Sequence, residues 1–234
     1  MTRARFRFGE YDVLAIQVLP ESYETFNYLF CRKGRAVLVD AGEAKPILNV
    51  LEEEQLQLLE ILITHNDPDH VGGCRALQDR LGVLAKSPGV ESCEFDLLGT
   101  RCISFSTPGH FAVSKSFHLP DLGIVFVGDT IIAGGCGRVR NGAYGESFES
   151  LQTLKALPDE TRIFGGHDYL EENMHFALSV EPGNADMQER LERYRTDPIG
   201  AIFVALEEEK KTNPFLRTGS VEEFTRLREL KDRF

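Results

Sequence analysis

The chain has 234 residues, 42% of them hydrophobic and 27% charged, with ten prolines. That is the make-up of a folded globular protein with room for one large domain, or a large domain and a small appendage. Its formal net charge of −11 argues against a nucleic-acid groove, which gathers surplus Lys and Arg on one face, and against an anionic membrane surface. No stretch approaches the ~20 apolar residues of a transmembrane helix, and "MTRARFRFGE" has no apolar run behind its basic residues, so a cytoplasmic protein is expected. The five cysteines, Cys31, Cys74, Cys93, Cys102 and Cys136, are odd in number and lack C-x-x-C spacing. They read as reduced thiols in or near the core rather than a disulfide framework or a thiolate metal site.

In chain order, "DVLAIQVL" (12–19), "FNYLFCR" (26–32) and "RAVLVDA" (35–41) are short, rich in Val, Leu and aromatics, and bounded by Pro, Gly or charged residues. They predict the strands of a β-meander. Apolar spacing in "EAKPILNVLEEEQLQ" predicts a helix, "EILITH" a strand and "VGGCRALQDRLG" a second helix. "RCISFSTPGH", "LGIVFVGDT" and "TRIFGGHD" each read as a strand ending at a glycine turn and then a polar residue, His110, Asp129 and His167. Past residue 168 the patterns in "YLEENMHFALSVEP", "NADMQERLERYR" and "SVEEFTRLRELKDRF" are helical. An α/β domain is therefore expected over 1–167 and a smaller helical part over 168–234.

The chemistry-bearing residues fall at strand ends. "THNDPDH" puts His65, Asp67, Asp69 and His70 directly after one strand, and His110, Asp129 and His167 follow three others. Strand ends on one rim of a sheet converge, and imidazole with carboxylate is the donor set of zinc, iron and manganese. On its own, H-x-D-x-D-H leaves a charged loop capping a helix as the lesser alternative; the three further residues strengthen the case for a centre for two ions with one carboxylate shared. His118 and His175 lie inside patterned segments and are assigned to packing or surface. There is no G-x-S-x-G elbow, and Ser106 and Ser114 have only proximity to His110 in their favour.

Taken in order, "LVDAG", "THNDPDHVGG", "TPGH", "GDTIIAGGCGR" and "GGHDY" resemble the metallo-β-lactamase superfamily. "GDTIIAGGCGR", "GGHDYLEENMHFALSVEPGN" and "NPFLR" narrow the likeness to glyoxalase II, the hydroxyacylglutathione hydrolases. The resemblance implies an α/β fold of the four-layer αββα sandwich type, catalytic over 1–167, with a small helical, substrate-binding C-terminal domain over 168–234. It implies two divalent metal ions and hydrolysis of S-(2-hydroxyacyl)glutathione, such as S-lactoylglutathione, by a metal-bridging hydroxide. By position, His65 and His110 fall on the first metal, Asp69, His70 and His167 on the second, and Asp129 bridges. Asp69 would also orient the nucleophile, and Asp40 would orient the motif loop. Arg138, Tyr169 and Arg217 match substrate-binding positions.

Two positions depart from that pattern. Asp67 stands where a histidine ligand of the first metal is expected, and Arg140 where a tyrosine is usual. With Asp67 as a third anionic ligand, two divalent ions and a hydroxide sum to no net charge. That shifts the first site toward iron or manganese over zinc, and Asp67→His is expected to raise zinc content and thioesterase rate. The expected partner is a small thioester, with no nucleic acid or membrane, and the protein a monomer or small homo-oligomer. A persulfide dioxygenase using His65, His110 and Asp129 on one iron, and a non-catalytic metal-binding protein, stay open at this point.

Overall fold

The structure, a computed structural model, describes residues 3–19, 22–86 and 91–234. Strands β1 (Arg3–Phe8), β2 (Tyr11–Val18), β3 (Thr25–Arg32), β4 (Arg35–Val39), β5 (Gln57–Leu62) and β6 (Leu84–Lys86) form one sheet in sequence order. The second sheet has the order β11-β10-β9-β8-β7, from β7 (Cys93–Leu97), β8 (Thr100–Ser106), β9 (Lys115–Leu119), β10 (Ile124–Gly128) and β11 (Arg162–Gly165). The meander closes through two-residue turns that need positive φ at both positions: Lys33 (49°) and Gly34 (74°), and in the second sheet Leu98 (55°) and Gly99 (87°). The sheets are mixed, because β4–β5, β5–β6 and β10–β11 pair in parallel around helical crossovers.

Between the sheets lies a core rich in phenylalanine, in which Phe26, Phe126, Phe164 and Phe203 surround Tyr28. Helices α1 (Ala44–Glu53) and α3 (Cys74–Leu81) bury Ile47, Val50, Leu51 and Leu77 on the outer face of the first sheet. Helices α4 (Tyr144–Lys155) and α9 (Val221–Lys231) bury Leu151, Leu154 and Phe224 on the outer face of the second. The result is the expected four layers, α/β/β/α. The C-terminal part adds α5 (Leu170–Val180), α6 (Ala185–Thr196), α7 (Pro198–Ile202) and α8 (Leu206–Thr212). Asn184, Asp197 and Ser220 cap α6, α7 and α9 by accepting main-chain N–H groups two or three residues into each helix.

Among the elements that escape the sequence reading are β1, β6, β7, β9 and α4. The face that α4 turns inward is built from Ser147 and Ser150 as well as Leu151 and Leu154, which blurs its apolar period. Those small residues let Gly109 approach so closely that a Cβ there would lie 2.5 Å from Ser147 Cα. The strand expected over "EILITH" ends at Leu62. Beyond it the Thr64 N–H donates to the Asp40 carboxylate at 2.7 Å instead of to a neighbouring strand. That early exit frees His65 and the residues after it to form the site.

Candidate metal centre

One rim of the sandwich collects the loops after β4, β5, β8, β10 and β11, and with them Asp40, the "THNDPDH" run, His110, Asp129 and His167. His65, Asp67, Asp69, His70, Asp129 and His167 are all buried, and His110 nearly so. Short helix α2 (Pro68–Val71) starts with Pro68 at its first position. Asp67, just before it, makes no side-chain cap; its main-chain oxygen accepts from His70 N and Val71 N. The helix-capping reading of this loop therefore fails, since the Asp67 carboxylate points elsewhere.

Each of the four imidazoles has its Nδ1 committed. His110 Nδ1 faces Arg138 O at 2.8 Å and His167 Nδ1 faces Tyr23 O at 2.7 Å. A carbonyl only accepts, so both Nδ1 atoms carry the proton. His70 Nδ1 donates to Asp40 Oδ2 at 2.9 Å, and His65 Nδ1 meets Thr64 Oγ1 at 3.0 Å, whose own proton goes to Asp40 Oδ2 at 2.7 Å. In the neutral rings all four Nε2 atoms are thereby left as lone pairs aimed at a common centre, the arrangement by which outer partners prepare histidine ligands. Asp40 does what the sequence suggested, orienting His70 directly and His65 through Thr64.

What the Nε2 lone pairs face are carboxylate oxygens. His110 and His65 Nε2 stand 3.1 and 3.7 Å from Asp67 Oδ2, and 3.5 and 4.0 Å from Asp129 Oδ2. Around the second point, His70 and His167 Nε2 lie 3.5 and 3.4 Å from Asp69 Oδ2, and 3.4 Å from each other. Asp129 reaches both points, with Oδ1 3.3 Å from His70 and Oδ2 3.1 Å from His167. Ligand atoms bonded at ~2.0–2.2 Å to a tetrahedral ion sit about 3.3–3.6 Å apart, so these spacings are those of two cation sites. His65 Nε2 and Asp129 Oδ1 are buried without any hydrogen-bond partner, a costly state that a cation relieves. The donor atoms fall into the groups His65–Asp67–His110, His65–His70–Asp129 and Asp69–His70–His167, each mutually within 4.8 Å.

Titration behaviour agrees. Burial opposes charge on His70 and His167, yet the carboxylate of Asp129, joined at His70 by that of Asp40, outweighs it and raises both imidazoles above their ordinary value. Burial likewise works against the Asp129 carboxylate, but His167 and His70 hold it well below the usual range. Burial lowers His110. Without a cation the centre thus favours protons on His70 and His167 as stand-ins for positive charge. Two glycines leave the space: a Cβ on Gly166 would lie 2.1 Å from Asp129 Oδ1 and 2.9 Å from His70 Cε1, and one on Gly137 2.9 Å from His110 Cγ.

The centre opens into a cleft of about 440 Å³ lined by Asp67, Asp69, His110, Asp129 and His167 at its floor and by Tyr23, Arg138, Arg140, Tyr169, Arg228 and Lys231 around them. Four basic side chains line this opening, but Arg140 pairs with Asp67, Arg228 with Asp232 and Lys231 with Glu172, which leaves Arg138 the most open to an anionic ligand. Tyr169 stacks on His167 at 4.8 Å between ring centroids and donates to Tyr23 O. Arg138 is largely exposed at the mouth. Arg217, matched by the resemblance to a substrate-binding position, does not line this cleft: it pairs with Glu181 and Lys211 O and lines a separate depression with Thr218 and Arg226. Arg228 and Lys231 from α9 occupy the cleft instead; as an i, i+3 pair in "RLRELK" they look like any solvated helix face. Thr25, which donates to Asp69 Oδ2 at 3.1 Å, and Thr64 carried no sequence signal at all.

Other expectations resolve simply. His118 is buried in β9 beside Phe105, and His175 is exposed on α5. Cys31, Cys74, Cys102 and Cys136 are buried, and burial pushes Cys31 and Cys102 up to about 12 and Cys74 to about 11, so they are poor nucleophiles. Among the described residues no helix is long and apolar enough to cross a membrane.

Comparison with known proteins follows the same lines. The metallo-beta-lactamase superfamily model matches residues 23–105 and 94–167, and the model of the hydroxyacylglutathione hydrolase C-terminus matches 168–234. A hydroxyacylglutathione hydrolase of Rhizobium meliloti (strain 1021) is 38% identical over 202 residues, spanning 80% of this chain and 79% of its own. The chain belongs to the hydroxyacylglutathione hydrolase family of the metallo-β-lactamase superfamily. A second member, from Photobacterium profundum, is 35% identical and aligns along 95% of this chain and 100% of its own. Among solved structures, ETHE1 from Myxococcus xanthus superposes with a TM-score of 0.68 at 25% identity, covering 98% of this chain and 90% of that one.

Proposed function

We propose that this protein hydrolyses S-(2-hydroxyacyl)glutathione thioesters, S-lactoylglutathione among them, to the hydroxy acid and glutathione. The observation that carries the reading is the set of four imidazoles whose Nδ1 atoms are pinned and whose Nε2 lone pairs converge on three carboxylates, at the floor of a cleft with a basic rim. His65, Asp67 and His110 would hold one divalent ion and Asp69, His70 and His167 the other, with Asp129 between them. This donor set suits zinc, iron or manganese. When bound, such a pair supplies an acidified water and polarises the thioester carbonyl. Asp69, held by Thr25, orients the attacking water. A thiolate leaves without a strong general acid.

Residues 1–167 carry the centre, and 168–234 contribute Tyr169, Arg228 and Lys231 to the cleft. Glutathione carries two carboxylates, which suit the exposed Arg138 at the mouth; Lys231, paired with Glu172, and Arg228, bonded to Asp232 and Cys136 O, would exchange those partners to take the second. Lys231→Met and Arg138→Met should each raise KM for S-lactoylglutathione by about tenfold while kcat stays within about twofold, the signature of binding shared by ground and transition states. Steady-state assay of the zinc-reconstituted protein reads this. Oxygen uptake with glutathione persulfide, and no thioester cleavage, would replace this reading with the dioxygenase one.

A further inference from the structure

The two departures from the family pattern touch each other. Arg140 lies 73 positions beyond Asp67, and its guanidinium closes on that carboxylate as a fork, Nη1 to Oδ1 at 2.7 Å and Nη2 to Oδ2 at 2.6 Å. The fork is held in place from outside: the Arg140 N–H donates to Gly109 O at 3.3 Å, which ties it to the His110 loop, and its Cζ stands 5.4 Å over the Phe111 ring. Asp67 Oδ2 meanwhile keeps its place 3.1 Å from His110 Nε2 and 3.7 Å from His65 Nε2. A carboxylate oxygen has two lone pairs, so engagement by Arg140 leaves one on Oδ2 for a cation.

We propose that Asp67 and Arg140 act as one unit, in which Arg140 is a positioning residue that aims the Asp67 carboxylate into the first metal site and cancels its charge. The inference rests on the two-ion reading above. It replaces the charge count made from sequence alone: the guanidinium returns the positive charge that Asp67 removes, so the pair equals a neutral ligand at position 67, and no preference for a harder ion follows. Arg140 is also withdrawn from the substrate, whereas Arg138 stays largely exposed at the mouth. The expected result of Asp67→His is thereby reversed. With Arg140 retained, that substitution leaves an uncompensated guanidinium beside a divalent cation.

The test is a double-mutant cycle read as metal affinity. Metal-free wild type, Asp67→His, Arg140→Tyr and the double variant are titrated with zinc against a chromophoric competitor, with far-UV circular dichroism and a thermal melt of each as the folding check. Asp67→His should weaken the more loosely held zinc by about tenfold or more in the Arg140 background and leave it unchanged or tighter in the Arg140→Tyr background. If Asp67→His does not fold, the nearly isosteric Asp67→Asn is carried through the same cycle, with a larger weakening of zinc expected in the Arg140 background than in the Arg140→Tyr background. An effect of equal size in both backgrounds, with wild type taking up two equivalents, overturns the inference alone. A wild type that never takes up a second equivalent overturns the two-ion reading and the inference with it.

Discussion

Asp40 has a left-handed backbone, φ 59°, which costs a residue with a Cβ on the order of 1 kcal/mol. The conformation turns its carboxylate onto Thr64 N, Thr64 Oγ1 and His70 Nδ1 at 2.7, 2.7 and 2.9 Å, so a single residue sets the orientation of two imidazoles. The same charges decide the pH response. Against the ordinary imidazole value of 6.5, Asp129 lifts His70 and His167 over the opposition of burial, and Asp40 adds to the effect at His70. Their protonation therefore lends the metal-free fold stability that is fully present below that value and is lost as pH rises through the raised ones. Divalent ions must displace those protons. Calorimetric titration of metal-free protein with zinc at pH 7, in buffers of different ionisation enthalpy, should show net proton release and an affinity that falls with acidification. A binding heat independent of buffer would contradict the assignment.

At the level of elements, the centre exists because strands stop early and glycines follow them. His65 leaves the sheet where Thr64 turns to Asp40, and Gly128, φ 49°, ends β10 directly before Asp129. Gly166 follows β11 directly before His167, and a methyl there would occupy the position of Asp129 Oδ1. Gly166→Ala should cost about 1–3 kcal/mol of repacking and lower bound zinc to one equivalent or fewer per chain, as measured by elemental analysis after gel filtration. Retention of two equivalents would show that the Asp129 carboxylate is not confined there. The strand-end pattern was legible from sequence because each candidate ligand follows an apolar run and a turn residue. The illegibility of α4 has a physical cause too, since its inward face is half serine.

At the scale of the molecule, the helical C-terminal part is joined to the centre through a buried ion pair. Arg190 donates to Glu209 Oε2 at 2.7 Å and to Ala201 O at 2.9 Å, and both its own and Glu209's side chains are almost wholly buried. Glu209 Oε1 in turn accepts from Asn213 Nδ2 at 2.9 Å and from Gly134 N at 2.7 Å, on the loop that runs from Asp129 to Arg140. Arg190→Met strands a buried carboxylate and should destabilise the fold by about 3–5 kcal/mol, a fall in Tm on the order of 10 °C for a chain of this length. A thermal scan showing a change of only a degree or two would mean that the loop and the helices are coupled by packing alone. The sequence by itself determined the α/β sandwich, its helical tail and the candidate ligands His65, Asp67, Asp69, His70, His110, Asp129 and His167, because apolar periodicity and strand-end position are local properties of the chain. Only the tertiary structure shows the pairing of Asp67 with Arg140, Arg217 lining a different depression and Arg228 and Lys231 lining the cleft. Those depend on which side chains meet far along the chain, 73 residues apart for Asp67 and Arg140, and a contact between distant residues leaves no local pattern to read.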